Sequence, residues 1–108
     1  MRPLVIAVDF DGTMCEHKYP AIGKPKDNVI KWLRNHKING NRLILWTCRS
    51  GKHLRDAVIW SREHGIEFDS VNDDLEYIKD SQFGREKSCK VCADMYIDDR
   101  NVILEKLI

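Results

Sequence analysis

A short apolar run near the N-terminus constrains the fold of this chain more than any other feature. Residues 4–8 have the sequence LVIAV, a continuous hydrophobic stretch rich in β-branched side chains. Such a run is typical of a strand that is buried on both faces of a parallel sheet. It ends at the sequence DFDGT of residues 9–13, so two carboxylates directly follow the predicted strand.

Further apolar segments alternate with helical patterns along the chain. After Pro25, apolar residues at helical spacing predict a helix that stops by Gly40, and a second helix carrying Leu54 and Val58 is closed by Gly65. The remaining predicted strands cover residues 43–46, 66–71, 93–97 and 102–104, and a short helix is predicted near residues 75–78. This alternation predicts an α/β fold, a three-layer doubly wound (Rossmann-like) parallel sheet with helices on both faces.

Length and composition predict one globular domain over residues 1–108. Hydrophobic residues make up 43% of the chain and charged residues 32%, and residues 14–25 form an irregular segment between the first strand and the first helix. No apolar run approaches the roughly 20 residues of a membrane span, and residues 4–8 are too few for a signal peptide. We therefore expect a cytoplasmic protein with no membrane partner.

The net charge of +1 conceals a strongly basic middle segment. Residues 17–62 contain eleven Lys or Arg and only two Asp, a local charge of +9. Such a concentration favours an anionic partner. The alternative is that the helix surfaces of this segment simply carry solvated Lys and Arg.

The four cysteines do not define a disulfide framework. Cys89 and Cys92 form a single C-x-x-C, whereas a structural zinc site needs four well-spaced ligands. A redox C-x-x-C normally opens a helix after a strand, and this one precedes a predicted strand. We expect ordinary reduced thiols, with zinc and redox roles as the alternatives.

The polar groups with chemical potential all follow predicted strands. Asp9 and Asp11 follow the first, Thr47 follows the second, and Asp98 with Asp99 follows the strand at 93–97. The carboxyl ends of parallel strands form a ligand crevice at one edge of the sheet. Four carboxylates there would repel one another unless a divalent cation offsets their charge, and an oxygen-only ligand set favours Mg²⁺.

The DFDGT sequence resembles the first motif, D-x-D-G-T, of the haloacid dehalogenase-like (HAD) superfamily. Thr47 looks like the second-motif Thr, Lys90 like the third-motif Lys, and Asp98-Asp99 like the fourth-motif acids. The surrounding pattern is similar to that of very small bacterial and phage hydrolases of this superfamily. Only short segments follow the first motif and Thr47, so the resemblance implies a HAD-like domain without a cap.

The resemblance implies a Mg²⁺-dependent phosphomonoesterase that acts through an aspartyl-phosphate. Asp9 is then the nucleophile and Asp11 the general acid and base. Thr47 and Lys90 hold the phosphoryl oxygens, and Cys48 and Arg49 are further candidates for the phosphate pocket. The metal ligands that the resemblance implies are Asp9, the backbone carbonyl of Asp11, and the fourth-motif acids, with Asp99 as the direct ligand and Asp98 in support.

Several alternatives stay open at this point. Lys87 competes with Lys90, Asp98 competes with Asp99 for the metal, and Thr47 could instead cap the following helix. The competing functions are a catalytically silent or regulatory phosphate-binding module and a receiver domain, in which the phosphorylated Asp ends the third strand.

The expected partner is a phosphorylated substrate, such as a nucleotide or a phosphorylated nucleic-acid end. Without a cap, the site either admits bulky substrates or borrows a wall from another subunit of a homo-oligomer.

Overall fold

The protein forms an α/β fold around a four-stranded parallel sheet. The structure, a computed structural model, describes residues 2–76 and 90–100. Within them, β1 (Val5–Val8) is followed by α1 (Asp27–Ile38), β2 (Arg42–Leu45), α2 (Gly51–Glu63), β3 (Ser70–Val71) and β4 (Met95–Ile97). The predicted α/β class and parallel sheet are confirmed, and neither described helix is long and apolar enough to cross a membrane.

The strand order is β3-β2-β1-β4, with all neighbours parallel. From β1 the chain first adds β2 and β3 on one side, and β4 then lies on the other side of β1. Ligand crevices form outside the carboxyl ends of the strands at such a change of direction. The junction of β1 and β4 is therefore where a site is expected.

Alternating side chains of the central strands fill two separate apolar layers. Ile6 and Val8 of β1 and Leu43 and Leu45 of β2 pack with buried residues of α1 and α2. The opposite face of the sheet carries Val5, Ala7 and Ile44, which pack with Leu75 and Val91. Both described helices thus cover the same face. The described residues contain no helix on the opposite face, and the predicted short helix near residues 75–78 lies mostly outside them.

β3 is shorter than the predicted strand over residues 66–71. The Leu43 N–H, which would pair with a carbonyl of a longer β3, instead donates to the Asp69 carboxylate at 2.8 Å. Ile66 still packs in the core from a non-strand segment. The Asp69 N–H in turn donates to the Leu43 carbonyl at 2.8 Å, so Asp69 contacts β2 through both its backbone and its side chain, and β3 begins at Ser70.

The receiver-domain alternative is wrong on strand order. In the flavodoxin-like order that such domains use, β3 lies directly beside β1. Here β3 pairs with β2, so Asn72 and Asp73 are separated from Asp9 by the whole of β2. The predicted strand at 102–104, Lys87 and Cys89 lie outside the described residues.

Candidate functional site

Three carboxylates meet at the carboxyl ends of β1 and β4. One oxygen each of Asp9, Asp98 and Asp99 lies within 4.8 Å of the others. The register that pairs Val8 with Ile97 carries both chains to the same edge, and the Asp9 N–H donates to the Ile97 carbonyl at 2.9 Å. We call these three residues the acidic cluster. The predicted convergence of the segments that follow β1 and β4 is present in the geometry.

The turn after β1 is shaped so that Asp99 can approach its backbone. Gly12 has a φ of +84°, and a Cβ there would overlap Asp99 Oδ2 and lie 2.9 Å from Asp99 Cγ. The Thr13 hydroxyl accepts the Asp99 N–H at 3.0 Å. The glycine and the threonine of the DFDGT sequence therefore both lie against Asp99. Lys26 Nζ also donates to the Gly12 carbonyl, a contact that the sequence did not suggest.

The crowding of acids perturbs the ionisation of Asp9. Burial is the largest influence and raises the pKa of Asp9 from the usual 3.8 to about 6. A backbone hydrogen bond at Phe10 opposes this rise, whereas the charges of Asp98, Asp99 and Asp11 add to it. A cation among these carboxylates would favour the ionised form of Asp9. The donor set consists only of carboxylate oxygens, which fits Mg²⁺ better than zinc or copper.

A cleft of about 670 Å³ opens beside the acidic cluster. Its lining residues come from all the segments that follow β1, β2 and β4: Asp9, Asp11, His17, Tyr19, Trp46, Thr47, Cys48, Arg49, Asp98 and Arg100. Six of the eight site residues predicted from the sequence therefore border one cavity. Asp99 lies beside this cleft, because its carboxylate approaches Gly12 and belongs to the acidic cluster.

Lys90 lies at a second, smaller cavity of about 310 Å³ that it shares with Asp9 and Asp98. Its Nζ is 4.5 Å from the centre of the Tyr96 ring. Asp9, Trp46 and Asp98 line both cavities, so Lys90 lies beside the acidic cluster.

Thr47 is held by a residue that the sequence analysis missed. Its N–H donates to Asn72 Oδ1 at 2.8 Å, and its hydroxyl accepts the Arg49 N–H at 3.2 Å. Asn72 adopts a left-handed conformation, φ 51°, which Asn tolerates better than most residues. The sequence offered one signal for this role, because Asn72 directly follows the predicted strand over residues 66–71. Thr47 does not cap the next helix, because α2 begins at Gly51 with Ser50 at the N-cap position.

Arg49 and Asp11 are joined in a way that the sequence did not predict. Arg49 Nε and Nη2 donate to the two Asp11 carboxylate oxygens, each at 2.7 Å, and only 1% of the Arg49 side chain is exposed. Its remaining N–H groups donate to backbone carbonyls. In this arrangement Arg49 has no N–H left for a phosphate, so the predicted phosphate contact would require these bonds to open. Cys48, by contrast, is exposed at the cleft.

No protein-family model and no curated protein match this chain. A solved structure of a conserved protein from Bacteroides thetaiotaomicron is similar, with 40% sequence identity. The match covers 94% of this chain and 79% of that one, with a TM-score of 0.81. At this identity and coverage, the chain belongs to the same family as the conserved Bacteroides thetaiotaomicron protein.

Proposed function

We propose that this protein is a Mg²⁺-dependent phosphomonoesterase of the HAD type, built on a capless, doubly wound domain. The observation that carries the proposal is the acidic cluster, three carboxylates within 4.8 Å at the carboxyl ends of two adjacent parallel strands. Three like charges at this spacing are unfavourable without a counter-ion. The strand order, with β1 between β2 and β4, supports a site at this edge.

In the proposed reaction Asp9 attacks phosphorus while the bond to the leaving oxygen breaks. Asp11 gives its proton to that oxygen, so an alcohol leaves and an aspartyl-phosphate forms on Asp9. Asp11 then takes a proton from a water that attacks the same phosphorus, and the bond to Asp9 breaks to release inorganic phosphate. Bound Mg²⁺ supplies charge stabilisation at the phosphoryl oxygens. Asp9, Asp98 and Asp99 would hold it through their side chains, and Asp11 through its backbone carbonyl.

Thr47 and Lys90 both lie beside the acidic cluster. Thr47 lines the larger cleft and Lys90 the smaller cavity, and Asp9 and Asp98 border both. In the proposed complex, the Thr47 hydroxyl and the Lys90 ammonium would offset the charge of a phosphoryl group seated on Asp9.

The cleft is far larger than a phosphoryl group requires. Its outer walls carry the Tyr19 and Trp46 rings and the basic side chains of His17 and Arg100. Aromatic faces and positive charge together suit a phosphorylated compound with a planar ring and a second negative charge. A nucleotide or a phosphorylated nucleic-acid end therefore remains the substrate class that we propose.

A panel assay tests this function directly. Metal-free protein is assayed for phosphate release from phosphorylated metabolites, nucleotides, and 3′- or 5′-phosphorylated oligonucleotides, with and without Mg²⁺. We expect release that requires Mg²⁺ or Mn²⁺ and is insensitive to a zinc-selective chelator. Asp9→Asn should abolish release, whereas Asp56→Asn, an exposed acid on α2, should leave it unchanged. Equal release by Asp9→Asn and the wild-type protein would refute the mechanism.

The Arg49–Asp11 pair favours one second candidate, a phosphate-binding module without turnover. Both oxygens of the proposed general acid are bonded to a buried guanidinium, which is compatible with binding alone. The same panel separates the two functions. A module would bind one equivalent of phosphate with Mg²⁺ and release none from any ester.

A further inference from the structure

Arg49 has a complete set of hydrogen-bond partners inside the protein. Beyond the two bonds to Asp11, Nη2 donates to the Ala21 carbonyl at 3.0 Å. Nη1 donates to the carbonyls of Pro20 at 3.2 Å and His53 at 3.3 Å. These five bonds use the five N–H donors of a guanidinium. Arg49 thereby joins the turn after β1, the irregular segment 14–25 and the first turn of α2.

The guanidinium is also held between two aromatic rings. Its Cζ lies 5.2 Å from the centre of the Phe10 ring and 5.0 Å from that of Tyr19. A buried charge is tolerated only when it is paired and its donors are satisfied. Both conditions are met here, and the pairing with Asp11 raises the pKa of Arg49 still further. Without the Asp11 contact, the buried guanidinium charge would be surrounded only by backbone carbonyls and aromatic rings.

We propose that Arg49 is a positioning residue that fixes the Asp11 carboxylate, and that it does not bind the substrate phosphate. This inference rests on the proposed phosphatase function. A carboxylate has about four lone-pair sites, and the two Arg49 bonds use one on each oxygen. Asp11 lines the cleft, so one of the remaining lone-pair sites can carry the proton that Asp11 gives to the leaving oxygen in the first step and recovers from the water in the second. Arg49 keeps all its protons throughout both steps.

The Pro20 and Ala21 contacts extend this role to the wall of the cleft. The segment 14–25 is tied at its base by hydrogen bonds from Glu16 N–H to the Lys24 carbonyl and from Lys26 N–H to the Met14 carbonyl. Between these ties, Arg49 holds the part of the segment that carries Tyr19. Arg49 therefore fixes both the orientation of the Asp11 carboxylate and the position of the Tyr19 ring in the cleft wall.

The decisive experiment compares leaving groups. Arg49→Lys keeps the charge but cannot form the planar fork. We expect kcat/KM for an alkyl phosphate to fall by roughly 10²-fold, because this parameter reports the departure of the leaving oxygen and an alkoxide leaving group needs a well-placed general acid. The fall for 4-nitrophenyl phosphate should be under about tenfold, since this leaving group needs little protonation. KM should change by less than about threefold for both substrates.

Asp11→Asn provides the matched comparison. It should show the same selective loss on the alkyl phosphate, and the double variant should be no slower than Asp11→Asn alone, because residues acting through one another are non-additive. A KM that rises for both substrates at unchanged kcat would make Arg49 a phosphate ligand and overturn the proposal. An equal fall in kcat/KM on both substrates, which reports the step in which the leaving oxygen departs, would also overturn it.

A measurement on the wild-type protein covers the case in which Arg49→Lys fails to fold. The Arg49 Nε–H signal in ¹⁵N NMR should be protected from solvent exchange, and it should stay protected when inorganic phosphate and Mg²⁺ are added. Loss of protection on adding phosphate would show that Arg49 leaves Asp11 for the anion and would overturn the proposal. If the wild-type protein releases no phosphate, the proposed function fails, whereas the Nε–H measurement still decides which partner Arg49 keeps.

Discussion

A substitution at Gly12 would have two effects, backbone strain and a steric contact, and a second glycine in this chain allows the two effects to be measured separately. At Gly12 an added methyl group meets both an unfavourable backbone conformation, φ +84°, and the Asp99 carboxylate. Gly40 has nearly the same conformation, φ +86°, but a Cβ there meets nothing within 4 Å. Gly40→Ala is therefore a matched control that adds the strain of Gly12→Ala without the contact.

The magnitudes follow from these two environments. A non-glycine residue in the left-handed region costs about 1–2 kcal/mol, and this cost should apply to both variants. At Gly12 the Cβ would lie 2.9 Å from Asp99 Cγ, whereas non-bonded carbon atoms prefer about 3.5–4.0 Å. The Asp99 carboxylate must therefore move by about 1 Å, out of its position in the acidic cluster. Displacing such a group should weaken metal binding by about 10–100-fold.

Two measurements on each variant test this reasoning. Urea unfolding of the metal-free proteins should show that both variants lose about 1–2 kcal/mol, with any excess loss confined to Gly12→Ala. Mg²⁺ titration calorimetry, or Mn²⁺ titration by electron paramagnetic resonance, should show weakened binding in Gly12→Ala and unchanged binding in Gly40→Ala. Equal metal affinity in the two variants would refute the idea that Gly12 makes room for Asp99.

Two further predictions concern Asp9 and Asn72. Because the pKa of Asp9 is raised to about 6 in the folded protein, folding takes up a proton between pH 4 and 6, and metal-free protein loses stability as the pH rises through that window. Asp9→Asn should accordingly be more stable than wild type by about 1 kcal/mol at pH 7, after allowance for solvent screening, and the difference should vanish below pH 4 in equilibrium unfolding. Asn72→Gly keeps the left-handed backbone but removes the acceptor of the Thr47 N–H, so we expect about 1 kcal/mol of lost stability and weaker inhibition by inorganic phosphate. Asn72→Asp retains an acceptor and should fold with wild-type stability, and an unchanged inhibition constant in Asn72→Gly would remove Asn72 from the site.

The regular elements were predictable because local signals and burial agree. The apolar residues of β1 and β2 are buried on both faces of the sheet, as their uninterrupted hydrophobic sequences indicate. α1 ends at Ile38, just before Gly40, whose positive φ matches the predicted exit from the helix. The length of β3 was not predictable, since it depends on the Asp69 carboxylate taking the Leu43 N–H. Asp69 directly precedes β3, but the N–H that its carboxylate accepts lies 26 residues earlier in the chain, so this pairing leaves no mark on the local pattern.

The candidate site shows the same difference between features that local sequence patterns predict and features that depend on tertiary contacts. Asp9, Asp98 and Asp99 were predictable together because parallel strands deliver their carboxyl ends to one edge, whatever the loops do. The partner of Arg49 was not, because an Arg after a strand is ordinarily solvated and Asp11 lies 38 residues away. Its burial depends on carbonyls of the segment 14–25, whose irregular sequence predicts no conformation. Side-chain pairing across the sheet edge is a tertiary property that composition and periodicity do not encode.

Arg49 also divides the four acids at this edge into two electrostatic groups. Asp11 is paired with a buried guanidinium, and of the three neighbouring carboxylates it adds least to the raised pKa of Asp9. Among the described residues, none of Asp9, Asp98 and Asp99 forms an ion pair, and the charges of Asp98 and Asp99 add to the effect of burial, which is the largest cause of the raised pKa of Asp9. Arg49 thus pairs with one of the four carboxylates, and the other three lie together at the same edge of the sheet. This charge distribution supports the proposed site: the fixed positive charge orients the proposed general acid, and the negative charge lies where the proposed divalent ion and phosphoryl group would meet.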